Sequence, residues 1–159
     1  MLLERSKQGS AGSDLLDARK AFEEELALDP TNANAAYELG EMHRKAGDFE
    51  AARKLFEQAL ANDPAFEQAL VGLGRTLVAL DRPADAIPHL RTAIKVNPES
   101  DVAYYQLAQA YRQTGNAAEQ EKALASFKRL RNAAAQRSAL VPDAKADVTP
   151  QVVDLKPPK

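Results

Sequence analysis

Residues 33–66 read ANAAYELGEMHRKAGDFEAARKLFEQALANDPAF, and the pattern returns 34 positions later at 67–100 and again at 101–134. Self-similarity at a fixed period is the mark of a repeat architecture and takes precedence over any local reading. The Asx-Pro pairs Asp29-Pro30, Asp63-Pro64 and Asn97-Pro98 keep the interval, as do Gly47, Asp81 and Gly115. Apolar columns run through Leu39, Leu73 and Leu107, and through Phe22, Phe56, Leu90 and Leu124. Small residues recur at Gly40, Gly74 and Ala108, at Ala18, Ala52 and Ala86, and at Ala59 and Ala93.

Within each unit the apolar spacing is 3.6 rather than 2, which predicts two helices. In 33–66, Ala36, Leu39, Gly40 and His43 form one face of a first helix, and Ala52, Leu55, Phe56 and Ala59 one face of a second. Gly47 suits the left-handed position that ends a helix, and Asp48 suits the cap of the next. Pro64 stops the second helix, because the residue before a proline avoids the α region. The small residues at 40, 74 and 108 let paired helices approach until Phe56, Leu90 or Leu124 fills the gap.

These residues resemble the tetratricopeptide repeat (TPR) family, whose 34-residue motif has a Leu-Gly pair in its first helix, then Ala, an aromatic and a small residue in its second, and a closing Pro. Leu39-Gly40, Ala52, Phe56, Ala59 and Pro64 carry the resemblance, followed by Leu73-Gly74, Ala86, Leu90, Ala93 and Pro98, and by Leu107-Ala108, Tyr111, Gly115 and Leu124. The resemblance covers 14 to about 134. It implies an all-α fold, a right-handed superhelical solenoid of antiparallel helical hairpins. The expected organisation is a partial unit at 1–32, units at 67–100 and 33–66, a unit at 101–137 with an extended last helix, and a disordered tail at 138–159.

Both ends depart from the pattern. Asp14 to Leu28 makes a good second helix, but Arg5 falls on the Leu39 column and Gly9-Ser10-Ala11-Gly12-Ser13 is expected to break the helix. Leu2–Lys7 then reads as the stub of a longer helix, and the chain as a fragment of a larger repeat protein. Phe127 replaces the small residue of its column, so a further helix cannot pack as closely there. From Ser138 the sequence is polar and interrupted by proline, and Gln151–Leu155 could serve only as a short docking motif.

Composition limits the function. With 21 Lys and Arg against 23 Asp and Glu, the net charge is -2, without the basic excess expected of a nucleic-acid binder. There is no Cys, so disulfides, thiolate zinc sites and cysteine nucleophiles are ruled out. Alanine supplies 31 of 159 residues and Trp none, which favours close-packed helices. No run nears the roughly 18 apolar residues of a membrane span. No signal peptide opens the sequence, which favours the cytoplasm; a periplasmic location requires a signal upstream.

No catalytic constellation emerges. His43 and His89 lie in different units and read as packing residues, so neither a metal nor any other cofactor is expected. Glu23-Glu24-Glu25 points in three directions around a helix and reads as a solvated face. Val71-Gly72-Leu73-Gly74-Arg75 contains a Gly-x-Gly but follows no strand, so its glycines read as packing residues.

What remains is surface. Stacked hairpins curve so that the first helices line a concave face. Opposite their packing sides stand Tyr37, Glu38, Glu41 and Arg44; Val71, Arg75 and Val78; and Tyr105, Gln106, Gln109 and Arg112, with Asn34, Gln68 and Val102 beside them. Tyr37, Val71 and Tyr105 share a column, and aromatic anchors with a polar rim suit peptide recognition. The same rings could equally serve as packing between hairpins. TPR proteins that hold acidic chaperone tails do so with a clamp of Lys, Asn and Arg; here those positions are Tyr37, Glu41, Gly72, Val102 and Gln106, so the clamp is absent. Glu38 and Glu41 favour a neutral or basic ligand. The expected function is a non-enzymatic scaffold binding a protein or peptide, with no nucleic acid and no membrane insertion; the alternative is a regulatory or targeting module of a larger enzyme or secretion component. A monomer satisfies the sequence.

Overall fold

Three Asx-Pro turns set the frame of the molecule. Asp29, Asp63 and Asn97 each accept a hydrogen bond on the side-chain oxygen from the backbone N–H two residues on, at 3.0, 3.2 and 3.1 Å. The side chain thereby mimics a backbone turn while the proline prevents the helix from continuing. The computed structural model describes the backbone of residues 2–140 and the side chains of 11–140. Among these residues there are seven helices and no strand: α1 (Leu2–Leu28), α2 (Ala33–Lys45), α3 (Phe49–Asn62), α4 (Glu67–Ala79), α5 (Pro83–Val96), α6 (Asp101–Gln113) and α7 (Ala117–Leu140).

The hairpins α2–α3, α4–α5 and α6–α7 turn at Gly47, Asp81 and Gly115, with φ of 83°, 59° and 75°. Asp81 is the one described non-glycine residue held at positive φ. Asp tolerates the left-handed region better than most residues but still crowds its own Cβ there. Asp81→Gly is therefore expected to raise stability by about 0.5–1 kcal/mol, read as a later urea midpoint with unchanged slope. Asn32, Asp48 and Ser100 cap the helices that follow them, accepting from Ala35, Ala51 and Ala103.

Packing follows the columns. Phe56 and Leu90 are wholly buried, and Gly40 and Gly74 lie where their side chains need room: a Cβ at Gly40 would come within 2.8 Å of the Phe56 ring, and one at Gly74 within 2.5 Å of Leu90. Gly72 of α4 also lies against Phe56, where a Cβ would sit 2.7 Å from the ring. Both glycines of the Gly-x-Gly are thus contact points between helices. In the inner layer α4 packs on α2 and on α6, whereas in the outer layer α3, α5 and α7 make no close backbone approach to one another. That difference makes the face formed by α2, α4 and α6 the concave one.

The expectation of a broken first helix is overturned, since α1 runs unbroken through Gly9–Ser13. Two glycines cost a helix roughly 1 kcal/mol each relative to alanine, which weakens it without stopping it. With Arg5 on the Leu39 column, folding 2–8 back would also set an arginine where the other units bury a leucine. At the other end α7 passes Arg137 by three residues, to Leu140. The remainder of the 138–159 stretch, including Gln151–Leu155, lies outside the described residues.

The two histidines separate. His43 stands between helices, its Nδ1 3.2 Å from Asp48 and its Nε2 3.4 Å from the Arg19 guanidinium of α1. Burial in α5 pushes the His89 imidazole below its ordinary value, opposed only in part by the Glu57 and Asp85 carboxylates. The fold thus favours neutral His89, and the unfolded chain binds the proton first. Its contribution to stability is complete above about pH 6.5 and declines as the pH falls below that. Lowering the pH from 7.5 to 5.5 should move the urea midpoint down, and His89→Gln should remove part of that drop; an identical profile in the variant would contradict the assignment.

Candidate functional site

Between the first two hairpins the concave face is filled by rings. Tyr37 of α2 lies 5.0 Å from the ring of Phe66, at the N-terminus of α4, and 6.1 Å from that of Phe56. One period further on, the positions of Tyr37 and Phe66 are held by Val71 and Ser100. These smaller side chains leave an open hollow of about 350 Å³ between α2, α4 and the turn from α5 into α6. The hollow lies at the lower end of the usual range for ligand sites, enough for one or two side chains.

Tyr37, Val71 and Val102 give it an apolar floor and wall, and Glu41, Glu67, Arg75, Glu99 and Asp101, with the neutral Ser100 among them, give it a charged rim. Ser100 is nearly buried; its hydroxyl donates to Glu67 Oε1 at 2.6 Å and accepts from the Ala103 N–H, tying two successive first helices together. Glu41 receives Nε and Nη2 of Arg44, both at 2.9 Å. Burial would push its carboxyl up, but the Arg44 hydrogen bonds and the nearby Arg44 and Arg75 charges outweigh this and hold it below its ordinary value. The Tyr37 phenol is pushed up by its own burial and then by Glu41 and Glu38. Arg75 and the Glu99 carboxylate have no hydrogen-bond or ion-pair partner among the described residues.

Of the residues expected on the concave face, the hollow gathers Tyr37, Glu41, Val71 and Arg75, with Gln68 and Val102. Arg44 reaches it only through Glu41. Val78 packs against the main core instead. Tyr105 stands apart, 40% exposed, with its ring 5.3 Å from Phe127, over which Arg131 lies. Glu38, Gln106 and Gln109 are half-buried outside the hollow, and Arg112 is exposed. The expected column Tyr37–Val71–Tyr105 is therefore divided between packing and surface. Glu67, Glu99, Ser100 and Asp101 were not singled out for this face, because they belong to the turn and helix start rather than to the middle of a first helix. Their signal was the loss of side-chain volume down the columns from 37 to 71 and from 66 to 100.

A family model for the tetratricopeptide repeat matches residues 11–67 and 71–137. A crystal structure of MamA superposes with a TM-score of 0.71 at 24% identity, over 77% of this chain and 71% of that one. YrrB, described as a TPR protein with an unusual peptide-binding site, matches with a TM-score of 0.69 at 25% identity, over 80% of this chain and 66% of that one. A mutant of the Thermobaculum terrenum O-GlcNAc transferase matches at 28% identity and a TM-score of 0.58, over 69% of this chain but 21% of that enzyme. No curated protein matches the chain.

Proposed function

Because the chain belongs to the tetratricopeptide repeat family, whose fold typically serves protein–protein interaction, we propose that it is a non-enzymatic scaffold holding a peptide or protein segment on its concave face. The observation that carries this reading is the hollow between α2, α4 and the α5–α6 turn, where the ring packing of the first interval gives way to open apolar surface with a charged rim. A pocket of this kind admits side chains of an extended segment, while the helices beneath it are fixed by Phe56 and Leu90. YrrB, described as a TPR protein with an unusual peptide-binding site, supports the reading.

Val102 is the side chain for the test, being 45% exposed at the edge of the hollow and spared by the core. Peptides selected from a displayed library on the wild-type chain should lose at least about tenfold in affinity to Val102→Lys, while Tyr105→Ala, outside the hollow, should leave affinity within about twofold. Unchanged affinity for Val102→Lys, with the fold intact by circular dichroism, would refute the site. A second reading, a regulatory or targeting module of a longer enzyme, draws support from the match to a fifth of the O-GlcNAc transferase. It predicts that the flanking reading frame encodes a catalytic domain.

A further inference from the structure

The charges around the hollow are not scattered. Glu67, Val71 and Arg75 stand at successive turns of α4 and all three line it. A carboxylate, an isopropyl group and a guanidinium are thus set in a row about 12 Å long, with roughly 6 Å between neighbours, at 1.5 Å per residue. An extended chain repeats on one face every second residue, at about 6.6–6.8 Å. The side chains at positions i, i+2 and i+4 of a strand therefore match the row almost one for one.

The two ends of the row differ in what already neutralises them. At the Glu67 end, Glu99 and Asp101 add two carboxylates; that of Glu99 has no partner among the described residues, and that of Asp101 accepts the Val102 N–H at 2.8 Å on Oδ1 and meets Arg131 at 3.4 Å on Oδ2. Glu67 spends one acceptor position on Ser100, and a carboxylate has about four. At the other end the neighbouring carboxylate, Glu41, is paired with both nitrogens of Arg44, and Arg75, whose charge helps lower that carboxyl but which makes no hydrogen bond or ion pair with it, keeps its donors free.

We propose that the hollow selects an extended peptide segment bearing a Lys or Arg and an Asp or Glu four residues apart with an aliphatic residue midway. The cation lies against Glu67 and Glu99, the aliphatic side chain on Val71 between Tyr37 and Val102, and the acid against Arg75. This rests on the concave-face reading and gives it a ligand chemistry. It also differs from a simple preference for basic segments, since a second cation at the far end would meet Arg75.

The test uses nine-residue Ser-Gly peptides carrying Lys, Leu and Asp at positions 3, 5 and 7, titrated into the whole chain by fluorescence anisotropy at 0.15 M salt. Comparison peptides carry Lys at both ends, Asp at both ends, or the Asp moved to position 6, on the opposite face of a strand. The Lys-Leu-Asp peptide should bind about tenfold tighter than each of the three, and Arg75→Glu should transfer the preference to the two-Lys peptide. Arg75 makes no hydrogen bond or ion pair among the described residues whose loss would disturb the fold, and Glu99→Lys gives a second, exposed variant that should weaken the Lys-Leu-Asp peptide. Equal binding of all four peptides, or a preference untouched by Arg75→Glu, would overturn the inference. A different class of peptide that binds and is lost in Val102→Lys would overturn it while leaving the scaffold reading intact. Binding by no peptide at all would remove both, and self-association abolished by Glu99→Lys would put a second copy in place of the peptide.

Discussion

Phe56→Ala is expected to cost about 3–5 kcal/mol, at the upper end for a core phenylalanine. The ring is wholly buried, and two of its walls are Gly40 and Gly72, which have no side chains to move into the space. A cavity that cannot collapse keeps its full penalty, since the surviving walls lose their dispersion contacts outright. Phe56 also belongs to three elements at once: it sits on α3, faces Gly40 of α2 and reaches Gly72 of α4. Its loss should therefore uncouple the first hairpin from the second. In amide exchange, α2 and α3 of the variant should lose protection at urea concentrations where α5 and α6 still hold it, as expected when the interface term of a repeat array is weakened. A single transition with a loss under about 1 kcal/mol would show that the ring is not the connection between the hairpins.

Gly74→Ala should fail in the opposite sense, by excess volume. An added methyl would lie 2.5 Å from Leu90 Cδ2 and 2.6 Å from its Cγ, and the Cγ is too near the backbone to swing aside. Alanine improves helix propensity by about 1 kcal/mol over glycine, so on an open helix the change would stabilise. Here overpacking, typically about 1–3 kcal/mol, should exceed that gain, leaving a net loss of up to about 2 kcal/mol by urea denaturation. Leu90→Ala alone should be costly through its cavity, yet in the double variant the new methyl occupies part of that cavity. The two changes should consequently cost less together than their sum, and strict additivity would mean the residues do not compete for one space.

The hairpins were legible because their cause is local and repeated: Asx-Pro turns, a left-handed residue at 47, 81 and 115, and a small residue opposite each large one. The same columns gave Phe127 as the large residue standing in place of a small one on the last helix, where its ring now lies on Tyr105. The first helix was misread because glycine and serine were counted as a stop, although a stop needs something to gain from the turn. The hollow was only half legible. Val71 and Arg75 were visible as exposed positions of a first helix, but its second wall is made by Glu99, Ser100 and Asp101, which approach only when one hairpin stacks on the next. Patterns that repeat report what the hairpins share, whereas this site arises where 71 and 100 depart from 37 and 66.

Every helix here packs against elements no further than the following hairpin. In kinetic terms this is a chain of low contact order, in which each close pairing needs only a short loop of backbone to be closed, and such topologies fold in microseconds to milliseconds. The Phe56 and Leu90 contacts offer two separate places for ordering to begin, each completed within about one period of sequence. On the ribosome, the hairpin α2–α3 can therefore close around Gly40 while α6 and α7 are still to be made, and each later hairpin is received by a surface already formed.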